Sequence, residues 1–282
     1  MISAKVIEDS ISEEGIRLTT MQLCYPRFIH SEVMTHRVFS RNASSSRAIP
    51  VAKMIDQVRC NPAMPVHWGA NQPGMQARKE LEGQELFDAM NVWKKAANEA
   101  ADTAEFMNKL GLHKQVANRI LEPFQWIHVV MTSTEWANWD ELRDHEDADP
   151  NIQRLARAMS VARNASTPQY LEPGEWHLPY VLDKERDQPI EILKKISAAR
   201  CCRVSYLTHD GLDPSIEKDL ELCERLAGSR PLHASPFEHQ ATPDFITNAD
   251  EWTTEWCDPD LHGNFTGWIQ HRKMLENDFL TK

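Results

Sequence analysis

Three observations in this sequence predict a mixed fold of strands and helices. Residues 4–24 alternate apolar and polar side chains about an acidic turn, as a pair of strands does. Residues 75–110, 150–164 and 214–228 repeat apolar side chains at helical spacing. No glycine-rich phosphate loop, of dinucleotide or P-loop type, interrupts the chain.

The elements follow in order. Strands over Ala4–Glu8 and Ile16–Cys24 are joined by Ser12-Glu13-Glu14-Gly15, and a helix covers Phe28–Arg37. Residues 60–75 hold three prolines and two glycines among polar side chains. A loop of that length inside a domain is expected to be functional, such as a lid, and not a linker. Between Met75 and Leu110, Leu81, Leu86, Met90, Trp93, Ala97, Ala101 and Phe106 recur near a 3.6 period, and Gly111 ends the run. A short helix over His113–Leu121 precedes an apolar segment, Phe124–Thr132, that reads as a strand or a buried helix start. Helices are predicted over Trp136–Arg143 and Pro150–Asn164, the second with Asp149 as N-cap and proline at its first position. Pro168–Pro189 is loop, Ile190–Ser205 a helix running into extended chain, and Pro214–Gly228 an amphipathic helix. The tail from Pro243 is aromatic and polar.

With 282 residues the chain can bury a sizeable core, and it is read as one domain, 1–282, with a helical and loop insertion at about 52–110. A formal charge of -11 argues against a nonspecific grip on nucleic acid, yet leaves room for a local basic pocket that takes a phosphorylated small molecule. There is no apolar core of signal length at the start and no apolar run near the ~20 residues a bilayer needs, so a soluble, cytoplasmic protein is expected. Six cysteines without a CxxC pair predict free, mostly buried thiols and no zinc site. Nine tryptophans go mostly to packing, and some could line a ring-binding pocket.

The densest chemistry lies in Thr35–Pro50. Arg37, Arg41, Arg47, His36, Asn42 and four serines crowd together, with Phe39, Ile49 and Val51 interrupting the polarity. Spaced arginine forks and serine hydroxyls beside consecutive backbone N–H groups suit a phosphorylated, planar, polar ligand. A solvated Ser/Arg loop is the plainer alternative. Asn138 and Arg143 on one short helix, Arg203-Val204-Ser205-Tyr206, and Ser235-Pro236-Phe237-Glu238-His239 carry similar chemistry. Arg143 could equally pair with Asp144 or Asp147 at the surface, and His239 alone would more often be structural.

Taken together, these segments resemble the flavin-dependent thymidylate synthases. Thr35-His36-Arg37 and Asn42-Ala43-Ser44-Ser45-Ser46-Arg47 occupy the spacing of that family's Arg-His-Arg and Asn-Glu-x-Ser-x-Arg stretch. Pro26-Arg27-Phe28, Arg119–Pro123, Asn138-Trp139, Leu142-Arg143, Ala148–Gln153, Arg203–Tyr206 and His233–His239 echo further blocks, over about two thirds of the chain. The order differs: the Arg-Val-Ser and Pro-Phe-Glu-His blocks come last here, as a circular permutation would place them. Trp268-Ile269-Gln270-His271-Arg272 looks like a second, weaker copy of the Arg-His-Arg segment without its Ser-x-Arg, which suggests partial duplication. Residues 52–110 and 165–195 match no block.

The resemblance implies an α+β subunit, a curved antiparallel sheet flanked by helices, assembled as a homotetramer with FAD and dUMP where subunits meet. It implies conversion of dUMP to dTMP, with reduced flavin supplying hydride, methylenetetrahydrofolate the one-carbon unit and NADPH the reducing equivalents; the protein positions and polarises. Carried over residue by residue, His36 and Arg37 touch the flavin, as do Arg143 and His239, with Asn138 nearby. Ser45, Ser46 and Arg47 hold the nucleotide phosphate, Glu32 contacts the nucleotide, and Gln153 faces the pyrimidine. Arg37, Gln153 and Ser45 are the residues expected nearest the chemistry. No metal is implied. Thr35, Ala43 and Gln153 depart from the pattern, Gln153 standing where the family has an arginine that favours the ionised uracil ring. A cytosine nucleotide, a hydroxymethyl product, or a noncatalytic nucleotide-binding homologue are the alternatives these departures raise.

Overall fold

The computed structural model describes residues 1–204, 215–249 and 254–275. Its strands are β1 (Ser3–Ile11), β2 (Arg17–Pro26), β3 (Ser40–Ala43), β4 (Trp126–Ser133), β5 (Gln169–Tyr170), β6 (Ala241–Pro243), β7 (Ile246–Ala249), β8 (Thr254–Trp256) and β9 (Trp268–Gln270). Its helices are α1 (His30–Val33), α2 (Val51–Cys60), α3 (Gly83–Lys109), α4 (Lys114–Ala117), α5 (Ala137–Arg143), α6 (Pro150–Asn164), α7 (Ile190–Arg203) and α8 (Ile216–Ala227).

A five-stranded sheet in the order β3-β4-β2-β1-β5 organises the chain, antiparallel except at the β1–β5 edge. The strands' two-residue period divides the core between its faces. Ile127, Val129 and Met131 of β4, with Met21, Leu23 and Tyr25 of β2, pack with Ile152, Leu155 and Met159 of α6 and with Trp136 and Trp139 around α5. Val130, between them in sequence, packs instead with Tyr180, Cys201 and Val204 around α7. The sheet is thus flanked by helices on both faces. α7 is buried nearly all round, and its Arg200, fully buried, donates to both Glu185 (2.7 Å) and Asp219 (2.9 Å).

The strands at 4–24 and the helices at 136–143, 150–164, 190–203 and 216–227 fall where the sequence predicts them, and the 124–132 segment, left open between strand and helix, is a strand. Asp149 caps α6 as expected, accepting from the N–H groups of Asn151 and Ile152. The expected helix over 28–37 is one turn of 3-10 and one of α, ending at Val33. Thr35 returns its hydroxyl to the Glu32 carbonyl, and Arg41 Nη1 donates to the carbonyls of Met34 (3.1 Å) and His36 (2.8 Å). Those carbonyls, just past the end of α1, are held by the Arg41 side chain instead of by a continued helix.

The helix expected from Met75 begins only at Gly83. Residues 76–81 instead pair back on the 66–70 segment, Ala70 N–H to Lys79 and Leu81 N–H to Trp68. Gly69 permits the approach, since a Cβ there would lie 2.3 Å from that of Ala77. The stripe that α3 buries against α2 is Ala97, Ala100, Ala101 and Ala104; Phe106, expected in it, is exposed. Helix 113–121 is α-helical only through Ala117 and continues as 3-10 turns to Phe124. Of the six free cysteines, Cys60 and Cys257 are exposed, so the thiols are less uniformly buried than expected. Ser205, Tyr206, Trp252, Asn277 and Asp278, parts of segments singled out in the sequence, lie outside the described residues. No helix among the described residues is long and apolar enough to cross a membrane.

Candidate functional site

The turn between α1 and β3 meets the end of α5. Arg143 Nε donates to His36 Nε2 over 2.9 Å, and Arg143 Nη2 donates to Thr35 Oγ1 over 3.2 Å. A guanidinium can only donate, so His36 Nε2 carries the lone pair and the neutral ring holds its proton on Nδ1. Burial, then the Arg143 charge, then that of Arg41, hold the imidazole below its ordinary pKa. The ring lies edge-on to Trp139, centroids 4.8 Å apart, and stacks with Phe39 at 6.0 Å. α5 supplies Trp139 from its buried side and Arg143 from its last turn, so one helix fixes both the packing and the polar partner of His36.

Beside this contact opens a cleft of about 890 Å³ lined by Glu32, Arg143, Gln153, His67, Arg78 and Arg157, among others. α1 brings Glu32, the end of α5 brings Arg143, and the first turn of α6 brings Gln153. The 66–78 loop forms another wall, anchored where Val66 N–H donates to Asn151 Oδ1 (2.9 Å) and Arg78 pairs with Asp147 (2.7 Å). The loop expected to be functional therefore borders the site, and His67 and Arg78 are lining residues that sequence reasoning did not single out. Their only sequence signal was membership of that loop and the residues just after it. Two of the cleft's cations are already engaged: Arg78 by Asp147 and Glu146, Arg157 by Asp144 (2.6 Å). The described partners of Arg143 are neutral, so of the two alternatives left open the surface pair with Asp144 or Asp147 is not the one formed. Gln153 lines the cleft and Arg154, exposed, does not.

The remaining expected residues lie elsewhere. Asn138 is exposed on α5, outside the cleft lining. Arg37 lines a second, smaller cavity with Arg41. Ser45 and Arg47 are exposed on the turn after β3, where the Arg47 N–H donates to Ser45 Oγ (3.3 Å). Ser46 is buried and its hydroxyl donates to Glu122 (3.2 Å). His239 is wholly buried behind the sheet, its Nδ1 2.8 Å from Thr132 Oγ1, and burial pushes its pKa down to about 3. Its Nε2 is buried without a hydrogen-bond partner among the described residues. Thr132, Thr20 (2.7 Å) and His177 (2.8 Å) continue the chain of bonds away from it.

No family model matches this chain, and no curated protein matches it by sequence. Solved structures do match. The UMP/dUMP methylase PolB from Streptomyces cacaoi bound with 5-Br UMP superposes at a TM-score of 0.50 and 15% identity, over 58% of this chain and 88% of that one. The same methylase bound with 5-Br dUMP gives 0.49 and 15%, over 58% and 90%. The chain shares its general fold, a mixed α and β arrangement with a helix-flanked sheet, with the first of these.

Proposed function

We propose that this chain is a pyrimidine-nucleotide C5 methyltransferase of the flavin-dependent kind, converting dUMP to dTMP with FAD, methylenetetrahydrofolate and NADPH. The Arg143–His36 contact carries this proposal. It joins two motif segments 107 residues apart at a cleft that Glu32 and Gln153, assigned to the same ligands, also line. The shared fold with a methylase of UMP and dUMP points the same way.

A flavin ring suits one feature of the chain: Arg143 meets only neutral partners among the described residues. His239 Nε2 is also a buried polar atom lacking a partner among them, but it lies behind the sheet and outside the cleft lining. The diphosphate of FAD suits this cleft less well, because Arg78 and Arg157 already face carboxylates. When bound, the flavin would supply the hydride. The protein's part is to orient the ring with Arg143 and His36, with Asn138 nearby, and to hold the nucleotide with Glu32 and Gln153 and its phosphate with Ser45, Ser46 and Arg47. Arg37 and His239, expected at the flavin, do not line this cleft: Arg37 faces the second cavity and His239 is wholly buried behind the sheet. Ser45 and Arg47 lie outside the cleft, so the proposal includes sites completed between subunits of a homotetramer. A permuted motif order and a cytoplasmic location belong to the same proposal.

Gln153 favours a second reading. An amide at the cleft wall can hydrogen-bond a pyrimidine edge but stabilises an anionic ring far less than arginine does. A cytosine nucleotide as substrate, or hydroxymethyl transfer, would fit it. Purified protein should show flavin absorbance that bleaches with NADPH, and mass spectrometry of products from dUMP and dCMP should separate the two readings. Colourless protein that takes up no added FAD would refute both.

A further inference from the structure

The two copies of the His-Arg segment meet at a second cavity. About 350 Å³ in volume, it is lined by Arg37 and Arg41 from the turn before β3 and by Arg272 and Lys273 from the turns after β9. The preceding histidines are set alike. His36 and His271 are both buried, both edge-on to a tryptophan (Trp139 at 4.8 Å, Trp176 at 5.8 Å), and both held below their ordinary pKa chiefly by burial. In each segment the histidine is buried while the arginine that follows it lines the one cavity.

Its charge is the reverse of the protein's. Among the described residues lining it, four cations face one carboxylate, Glu238, which pairs with Arg272, in a chain of formal charge -11. Among the described residues neither Arg37 nor Lys273 makes an ion pair, whereas Arg41 is held in place by the carbonyls of Met34 and His36. The wall is built as well as charged. Gln270, almost wholly buried, donates through Nε2 to Asn264 Oδ1 (2.8 Å), the Glu238 carbonyl (3.1 Å) and Ser40 Oγ (3.3 Å). Asn264 Nδ2 in turn donates to the Val38 carbonyl (2.8 Å), tying the C-terminal segment to the arginine-bearing turn. Gly263 sits at φ +64°, and a Cβ there would lie 2.5 Å from Gln270 Oε1, so the wall closes only around a glycine. Bringing like charges together costs energy unless an anion joins them, and the fixed spacing removes the cost of ordering them on binding.

We propose that this cavity is a phosphoryl-binding site, taking the phosphate or diphosphate of a small molecule through Arg37, Arg41, Arg272 and Lys273. Its size falls at the lower end of small-molecule pockets, too small for a polymer backbone. It stands on its own residues and does not depend on the proposed reaction.

Titration calorimetry of the full chain with inorganic pyrophosphate tests it. Saturable binding that weakens with salt is expected, with Lys273→Gln losing roughly tenfold in affinity, the worth of one charge-assisted contact, and Lys273→Arg keeping most of it. Arg37→Gln, on an exposed side chain, should lose a similar factor and guards against a variant that fails to fold. Competition by dUMP identifies a mononucleotide source, and competition by ADP and FAD alone a dinucleotide one; both support the site. No binding at millimolar pyrophosphate, or binding that both glutamine variants leave unchanged, overturns it. A protein that never takes up flavin yet binds pyrophosphate through Lys273 would sink the proposed reaction and leave this site standing; a flavin-loaded protein indifferent to both variants would do the reverse.

Discussion

Replacing Arg143 with methionine keeps most of the side-chain stem and removes both donors to the α1–β3 turn. The lost bonds are a 2.9 Å contact to His36 and a 3.2 Å contact to Thr35. A hydrogen bond from a charged donor is worth about 1.5–3 kcal/mol, and Arg143 is half-exposed, so about 1–2 kcal/mol of stability should go. For a chain of this size that corresponds to roughly 2–6 °C in Tm. The sharper readout is the imidazole itself. The Arg143 charge is the second cause, after burial, of the lowered His36 pKa, so the variant's His36 should titrate closer to its ordinary value while remaining below it. The sign for stability follows. With a folded pKa below the unfolded one, the unfolded chain binds more protons just below pH 6.5, and stability falls as pH falls there. Losing Arg143 should make that fall shallower. Imidazole NMR titration of wild type and Arg143→Met, with melts at pH 7 and pH 5.5, measures both. An unmoved His36 titration would refute the contact, and with it the joining of the two motif segments.

Three other perturbations probe the frame around the site. Arg200→Met should cost about 3–5 kcal/mol, seen in chemical denaturation, because Glu185 would be left buried without a cation and Asp219 with Arg203 in place of two. Gly69→Ala should cost about 1–3 kcal/mol and weaken nucleotide binding, measured by calorimetry, since its Cβ would collide with Ala77 and push the loop wall into or away from the cleft. Across pH, burial lowers His30 and His271 to about 4 and His177 and His239 to about 3, so each should lose up to about 1.4 kcal/mol of stability per pH unit as pH falls from about 6.5 toward those values. Glu8 works oppositely: burial raises it to about 7 against the pull of Arg186, and its contribution is lost as pH rises from about 4.5 through 7. Denaturation midpoints from pH 4 to 8 should therefore fall steeply on the acid side, and a flat acid limb would show that these rings are solvated.

Helices whose limits are set locally could be read from the sequence. Asp149 and Pro150 start α6 by capping chemistry that needs no tertiary partner, and the strand pair around Gly15 follows from alternation alone. Boundaries decided at long range could not. The chain past α1 turns where Arg41, several residues on, holds the carbonyls of Met34 and His36, and α3 starts late because residues 76–81 pair with 66–70. Apolar period misled at Phe106, where the buried stripe consists of alanines that allow α2 to lie close. Of the site, composition pointed to the 35–47 stretch and to Arg143, and the structure joins Arg143 to His36. Which cavity each residue lines depends on the turn's course, and nothing local in the sequence encodes that.

That turn explains why neighbouring residues serve different cavities. His36 and Arg37 are adjacent, yet one bonds Arg143 beside the larger cleft and the other lines the smaller pocket. Arg41 lines the pocket while its guanidinium holds the carbonyls of Met34 and His36, so the cation that shapes one cavity also fixes the backbone carrying the other's histidine. An anion drawing on Arg41 would compete with those carbonyls for its donors, and any loosening would be felt at His36 and hence at Arg143. Occupation of the pocket and the geometry of the cleft are therefore linked through one side chain. Arg41→Lys, which keeps the charge but cannot reach both carbonyls with a planar fork, should disturb the His36 titration and pyrophosphate affinity together. If it moved one without the other, the two cavities would be independent.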